Sequence, residues 1–130
     1  MKTILKFSLA VLVAMTTMGA HAINGDFLIN VKNSTGKEIS FSVNDIQKAK
    51  VTIYDKRHNV IYSETAVGNG GILKTYSLEE FPDGVYFLEV ETNVKTVKHE
   101  IVVANEVSTL SRKSLAEVYK SDNQNVVSVN

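Results

Sequence analysis

The sequence contains no cysteine and no tryptophan, and it contains a single proline. Without cysteine the chain cannot form a disulfide, a thiolate metal site or a thiol nucleophile, so its stability must come from packing. The core must therefore be built from Val, Ile, Leu, Phe and Tyr. Basic and acidic residues are equal in number, 14 of each. This balance gives no electrostatic reason to expect binding to nucleic acid or to an anionic membrane surface.

Long hydrophobic runs are also scarce, and the one clear example lies near the start. Residues 1–22 combine a lysine-bearing beginning, an apolar stretch over residues 7–18, and the small-x-small sequence Ala20-His21-Ala22. This order is typical of an export signal followed by a signal peptidase site. The apolar stretch is well short of the roughly 20 residues that span a bilayer. We therefore expect residues 1–22 to be a signal peptide whose removal leaves a chain without a membrane span.

No stretch after the expected signal peptide sustains a helical period, whereas short alternating segments are frequent. In one of them Ile39, Phe41 and Val43 share one face, and serines occupy the other face. Segments of this kind, separated by turn residues at spacings of roughly 8–12 residues, are typical of an antiparallel β-sandwich. Seven strands are predicted, over residues 26–32, 38–43, 49–55, 60–67, 72–78, 85–92 and 95–104.

The run Pro82-Asp83-Gly84 predicts a tight turn that leads directly into a strand. Pro82 restricts φ, and Gly84 accepts a turn conformation. In an immunoglobulin-like sandwich a tyrosine ties the corner at the start of a strand, two residues before a core position, and Tyr86 has that spacing from Leu88. We therefore predict an all-β, immunoglobulin-like sandwich in which Pro82, Asp83, Gly84 and Tyr86 form a structural corner.

Several short pieces follow one another in an order that resembles a known family. They are Val51-Thr52-Ile53-Tyr54-Asp55, Val60-Ile61-Tyr62, Tyr76-Ser77-Leu78, Phe81-Pro82-Asp83-Gly84-Val85-Tyr86-Phe87, Lys95-Thr96-Val97 and Ile101-Val102-Val103. Together they resemble the C-terminal sorting domain of bacterial type IX secretion, of the Bacteroidetes kind. The resemblance covers residues 51–104. It implies an immunoglobulin-like sandwich in a secreted or cell-surface protein, with a protein partner at the secretion machinery or at the cell surface.

Residues 105–130 continue past the part that carries this resemblance. Residues 114–117, Ser-Leu-Ala-Glu, can form a capping box that opens a short helix, and they can equally form a polar edge strand. Residues 128–130 repeat the Ser-Val-Asn of residues 42–44, either by chance or because a second module begins there. We expect residues 23–104 to form the sandwich and residues 105–130 to form an appended tail.

Histidines and turn aspartates are the first candidates for catalysis or metal binding, and we expect neither role for them. His58 lies in a predicted exposed turn, and His99 lies in a strand whose inward positions are apolar. His58 is therefore expected to be a solvated loop residue and not a ligand. A partly buried structural role is favoured for His99, because no second histidine or cysteine is spaced to join it. The turn aspartates lack the fixed ligand spacing of a calcium loop. They are Asp45, Asp55 and Asp83.

Paired glutamates and a glycine cluster are the remaining candidates. Adjacent strand residues point to opposite faces, so Glu79 and Glu80 would not converge, whereas Glu89 and Glu91 would share a solvated face. Residues 68–71, Gly-Asn-Gly-Gly, lack the strand-to-helix setting of a phosphate loop. The sequence therefore favours an exported, non-enzymatic structural or interaction module without a cofactor. The alternative is a small secreted enzyme or inhibitor whose loop site has no recognisable motif.

Overall fold

In the computed structural model, which describes residues 25–120, the chain forms nine β-strands in two antiparallel sheets, and this part of the chain contains no helix. The strands are β1 (Ile29–Lys32), β2 (Glu38–Asn44), β3 (Lys48–Asp55), β4 (Val60–Val67), β5 (Gly71–Ser77), β6 (Gly84–Glu91), β7 (Lys95–Ala104), β8 (Val107–Leu110) and β9 (Ala116–Tyr119). The predicted all-β antiparallel sandwich is therefore confirmed. It has two more strands than the seven that were predicted.

The two sheets differ in size. The smaller sheet has the order β1-β2-β5, and the larger sheet has the order β4-β3-β6-β7, with β8 and β9 both paired to β7. β3 lies between β4 and β6, and its pairing with β4 has a register shift between Ile53 and Tyr54. Among the described residues there is no helix long and apolar enough to cross a membrane.

The core lies between the two sheets because each strand places its alternate apolar residues on the inner face. As predicted, β2 turns Ile39, Phe41 and Val43 inward, where they are buried. The larger sheet buries a matching set of side chains against them. This set includes Val51, Ile53, Tyr86, Leu88, Val90, Val97, Ile101, Val103 and Leu110.

Residues 105–120 differ most from the expected tail. Asn105 and Glu106, with φ of 54° and 65°, form the two-residue turn of a tight hairpin that returns the chain along β7 as β8. Farther on, Ala116–Tyr119 is the exposed strand β9, so of the two alternatives for this segment the polar edge strand is formed and the short helix is not. The signal peptide and the repeated Ser-Val-Asn of residues 128–130 lie outside the described residues.

Candidate functional site

The residues of the predicted corner lie together at the start of β6. The hydroxyl of Tyr86 donates a hydrogen bond of 2.6 Å to the backbone oxygen of Pro82. Its ring meets that of Phe81 edge to face, with 5.0 Å between the centroids. Burial, and then the nearby charges of Asp55 and Asp83, raise the pKa of the Tyr86 phenol. A neutral phenol whose hydroxyl is already engaged can hold this corner together but offers no proton-transfer chemistry.

The two histidines occupy very different surroundings. His58 is exposed in the β3–β4 turn, with a φ of 67°, and its ring lies 5.3 Å from that of Tyr54. His99 is buried on the inner face of β7, where Nδ1 lies 2.8 Å from the backbone oxygen of Ser111. The structure does not bring the two rings into one site.

The acidic candidates are also dispersed. Asp55 accepts hydrogen bonds from the backbone N–H groups of Asn59 and Arg57, and these bonds, those to Asn59 foremost, lower its pKa. Glu89 accepts a 3.4 Å hydrogen bond from Tyr54, and Glu91 pairs with Lys120 at 2.7 Å. In residues 25–120 no three His, Asp or Glu side chains are grouped so that they could hold a metal ion.

A lysine that was not among the predicted candidates lies at the centre of the most elaborate polar cluster. Lys95, the first residue of β7, is 1% exposed. Its Nζ lies 2.8 Å from Oδ1 of Asp26, contacts the carboxylate of Glu117, and lies 3.3 Å from the hydroxyl of Tyr119. The same ammonium lies 4.8 Å from the centroid of the Phe27 ring. Two segments far apart in sequence, at residues 26–27 and 117–119, therefore converge on the buried cation of β7.

The charges of this cluster stabilise one another. Burial alone would lower the pKa of Lys95, but its bonds to Asp26, Glu117 and Tyr119 outweigh burial and raise that pKa. Burial alone would likewise raise the pKa of Asp26, but the bonds from Lys95, from the N–H of Phe27 and from Tyr119 lower it. Near neutral pH the lysine is therefore charged and the aspartate ionised. This state suits a structural ion pair or the recognition of a charged group better than proton transfer.

The alternation of side chains along β7 could have identified Lys95 as a buried lysine. Along β7, Lys95 has the same parity as Val97 and Ile101, which are buried. Successive inward positions of a strand recur every two residues, so a lysine in that series must lie in the core or at its margin. A buried ammonium requires an anionic partner. The pattern therefore indicates that a partner exists, although it does not identify Asp26 or Glu117.

The outer side of β7 is covered from end to end by residues 107–120. β8 pairs with Ile101–Ala104, and β9 pairs with Lys95–Lys98. Between them the N–H groups of Ser111 and Leu115 donate to the backbone oxygens of Glu100 and Lys98, at 2.9 and 2.7 Å. The segment also reaches the smaller sheet, because the guanidinium of Arg112 donates to the backbone oxygen of Val31 at 2.9 Å. Residues 107–120 thus join the two sheets along this side.

The opposite side of the sandwich, between β4 and β5, has an open apolar cleft of about 340 Å³. Its walls include Tyr62 from β4, Tyr76 from β5 and Phe81 from the corner. Glu64 accepts a hydrogen bond from Tyr76 near this cleft and pairs with Lys74 at 3.3 Å. Burial, and then the hydrogen bond to Glu64, raise the pKa of the Tyr76 phenol, so this hydroxyl stays protonated near neutral pH.

Comparison with known families identifies the part of the chain that carries this fold. The family described as the secretion system C-terminal sorting domain matches residues 23–104, which is well over half of the sequence. Comparisons with curated proteins and with solved structures give no match. The matched residues include the corner, Lys95 and the strands β1 to β7, and they end where β7 ends, before β8 and β9. The chain therefore belongs to the C-terminal sorting domain family of type IX secretion.

Proposed function

We propose that this protein is an exported, non-enzymatic module that takes part in type IX secretion, or acts at the cell surface, by binding another protein. The observation that carries the proposal is the family match over residues 23–104. Membership of this family implies a secreted or cell-surface protein related to type IX sorting, and the family is not an enzyme family. Beyond what the family implies, we propose that this protein catalyses no reaction and acts by binding a partner protein.

The chemistry of the polar clusters supports a binding role over the alternative of a small secreted enzyme or inhibitor. The candidate acids and histidines are dispersed. The ammonium of Lys95 is already paired with the carboxylates of Asp26 and Glu117. A sandwich of this kind can bind partners through a sheet face, through loops or by strand addition at an edge. The cleft between β4 and β5 is an open surface whose shape and chemistry favour such contacts.

We also propose that residues 1–22 are removed during export. The small-x-small sequence at Ala20-His21-Ala22 is the cleavage site that follows the apolar stretch. Intact mass measurement of the exported protein should give a chain that begins at Ile23. Exported protein that retains residues 1–22 would contradict this part of the proposal.

The sorting role can be tested with a reporter protein that carries an export signal at its start and residues 23–130 at its end. We expect the reporter to reach the surface or the medium of a Bacteroidetes host with a functional type IX system. In a host that lacks the system, it should remain in the periplasm. A reporter with the export signal alone is the control and should remain periplasmic in both hosts. An identical distribution of the full fusion in the two hosts would contradict the sorting role.

A further inference from the structure

The two strands that cover β7 are attached in different ways. β8 places Leu110 on the inner face, where it is 7% exposed and belongs to the core. All four residues of β9 are exposed, and the apolar Val118 is 63% exposed. Burial of apolar surface is the main favourable term in folding. β8 is therefore an integral part of the sandwich, whereas β9 contributes little to its core.

Two kinds of contact hold β9 in place. Its backbone pairs with Lys95–Lys98, and its inward side chains, Glu117 and Tyr119, contact the ammonium of Lys95. Water can replace backbone hydrogen bonds at a small net difference in free energy. The contact with the buried ammonium is the part that water replaces poorly. The hydroxyl of Tyr119 also donates to Asp26 at 3.0 Å, and Lys120, which follows β9, pairs with Glu91 at 2.7 Å. The attachment of β9 thus depends on polar contacts, with Lys95 at their centre, and not on buried apolar surface.

If β9 left, the edge beneath it would still be organised to bind a strand. Asp26 would continue to hold Lys95, since their 2.8 Å contact does not involve β9. The ring of Phe27 would remain against the ammonium. The backbone of Lys95–Lys98 would present unpaired N–H and C=O groups next to the ammonium of Lys95, which would have lost Glu117 and Tyr119 as partners. An edge of this kind favours an extended segment that brings a carboxylate to Lys95.

We propose that this half of the β7 edge is a docking site for a partner protein, and that β9 occupies the site until the partner displaces it. The fitting segment is an extended strand in which a carboxylate is followed two residues later by an aromatic residue. This is the arrangement by which Glu117 and Tyr119 contact Lys95. The other half of the edge is excluded, because β8 is anchored by Leu110 and by the tight turn at Asn105-Glu106. The proposal concerns binding in solution and does not depend on the sorting role.

The probe for this site is a fluorescent peptide with the sequence of residues 113–120. It is added to the full chain and to the full chain carrying Glu117→Lys, which places two positive charges together and releases β9. We expect the peptide to bind the Glu117→Lys chain at least about tenfold more tightly than the unchanged chain, because β9 no longer competes. A peptide with glutamine in place of its glutamate should bind about tenfold more weakly. Equal binding of both peptides would overturn the role of Lys95.

A disulfide lock provides a test that does not require the Glu117→Lys chain to fold. Thr96 and Val118 are register partners on β7 and β9, and the natural chain has no cysteine that could compete. A full chain with Thr96→Cys and Val118→Cys should bind no peptide when oxidised and should regain binding when reduced. Unchanged binding after oxidation would place the peptide elsewhere and overturn the proposal.

Hydrogen exchange and light scattering on the unchanged full chain complete the test. The backbone amides of β9 should exchange at least about tenfold faster than those of β8, since β9 opens locally. Equal protection of the two strands would mean that β9 is not releasable and would overturn the proposal. A dimer that disappears when the lock is oxidised would assign the edge to a second copy of this chain, and would overturn its assignment to a different partner.

Discussion

The two edges of the larger sheet are protected by different means. At one edge, β7 is paired along its length by residues 107–120. At the other edge, the outer side of β4 pairs with no strand in residues 25–120. β4 instead carries the inward-facing Glu64, and its pairing with β3 is irregular at Ile53 and Tyr54. An inward charge and an irregular edge both discourage the addition of another strand. The β7 edge is thus protected because residues 107–120 cover it. The β4 edge is protected because its geometry and charge disfavour pairing with a further strand.

The same contrast extends to the ion pairs on the two sides. The difference lies in the cation, because Lys95 is 1% exposed and Lys74 is 31% exposed, whereas the carboxylates that pair with them, Asp26 and Glu64, are 31% and 24% exposed. A buried charge depends on its partners far more than a solvated one. Charge substitutions of the same kind should therefore have unequal effects at the two edges.

Removing both carboxylates of the Lys95 cluster should have the largest effect. In the double variant Asp26→Asn, Glu117→Gln the ammonium stays buried without an anionic partner. We expect the free energy of unfolding in urea to fall by about 3–5 kcal/mol. Each single variant leaves one carboxylate in place and should lose less than half of that amount. If the losses in the free energy of unfolding of the two single variants add up to the loss of the double variant, then Asp26 and Glu117 do not share the Lys95 cation, and this interpretation is contradicted.

Truncating an apolar residue should reduce stability more in β8 than in the segment that follows it. Leu110→Ala removes a core side chain, and we expect a loss of about 2–4 kcal/mol in the free energy of unfolding. The matched control is Leu115→Ala, which removes a side chain that is 59% exposed and should change stability by less than about 0.5 kcal/mol. Equal losses measured by urea unfolding would mean that residues 107–120 are attached uniformly.

Tyr86 provides a reference value from the corner at the start of β6, away from the contacts of Lys95 and Glu64. Tyr86→Phe removes the hydroxyl that donates to Pro82, and we expect a loss of about 0.5–1.5 kcal/mol. Tyr86→Ala also removes the ring from the core and should cost about 3–5 kcal/mol. Negligible losses for both variants in urea unfolding would contradict the corner formed by Pro82, Asp83, Gly84 and Tyr86.

Neutralising the charge at the β4 edge should have the smallest effect. The hydrogen bond from Tyr76, followed by the contacts with Lys74, outweighs desolvation and lowers the pKa of Glu64 below its ordinary 4.5. A carboxyl whose pKa is lowered on folding adds stability above its unfolded pKa and loses it as the pH falls through the folded pKa. Glu64→Gln should therefore cost less than about 1 kcal/mol near pH 6. The difference from the unchanged chain should shrink below about pH 4.5, as measured by thermal unfolding across pH.

The elements that the sequence predicted are those with a local origin. The alternation of Ile39, Phe41 and Val43 identified the inner face of β2, and the Pro82-Asp83-Gly84 turn located the start of β6. Residues 105–120 were predicted as a tail because they lack the local signals that mark the other strands. Their turn uses Glu106 in a conformation that glycine or asparagine usually adopts, and every residue of β9 is exposed. Turn propensity therefore did not identify β8, and the sequence offered β9 only as the edge-strand alternative for residues 114–117.

By itself the sequence determined the fold class, the predicted strands before residue 105 and the corner, because strand period and turn chemistry act over a few residues. Only the tertiary structure decided which side chains meet Lys95. Glu117 lies 22 positions from Lys95, and Asp26 meets Tyr119 across 93 positions. Alternation reveals that Lys95 points inward, but partners so distant are selected by sheet order and register. Those depend on how the whole chain buries its apolar surface.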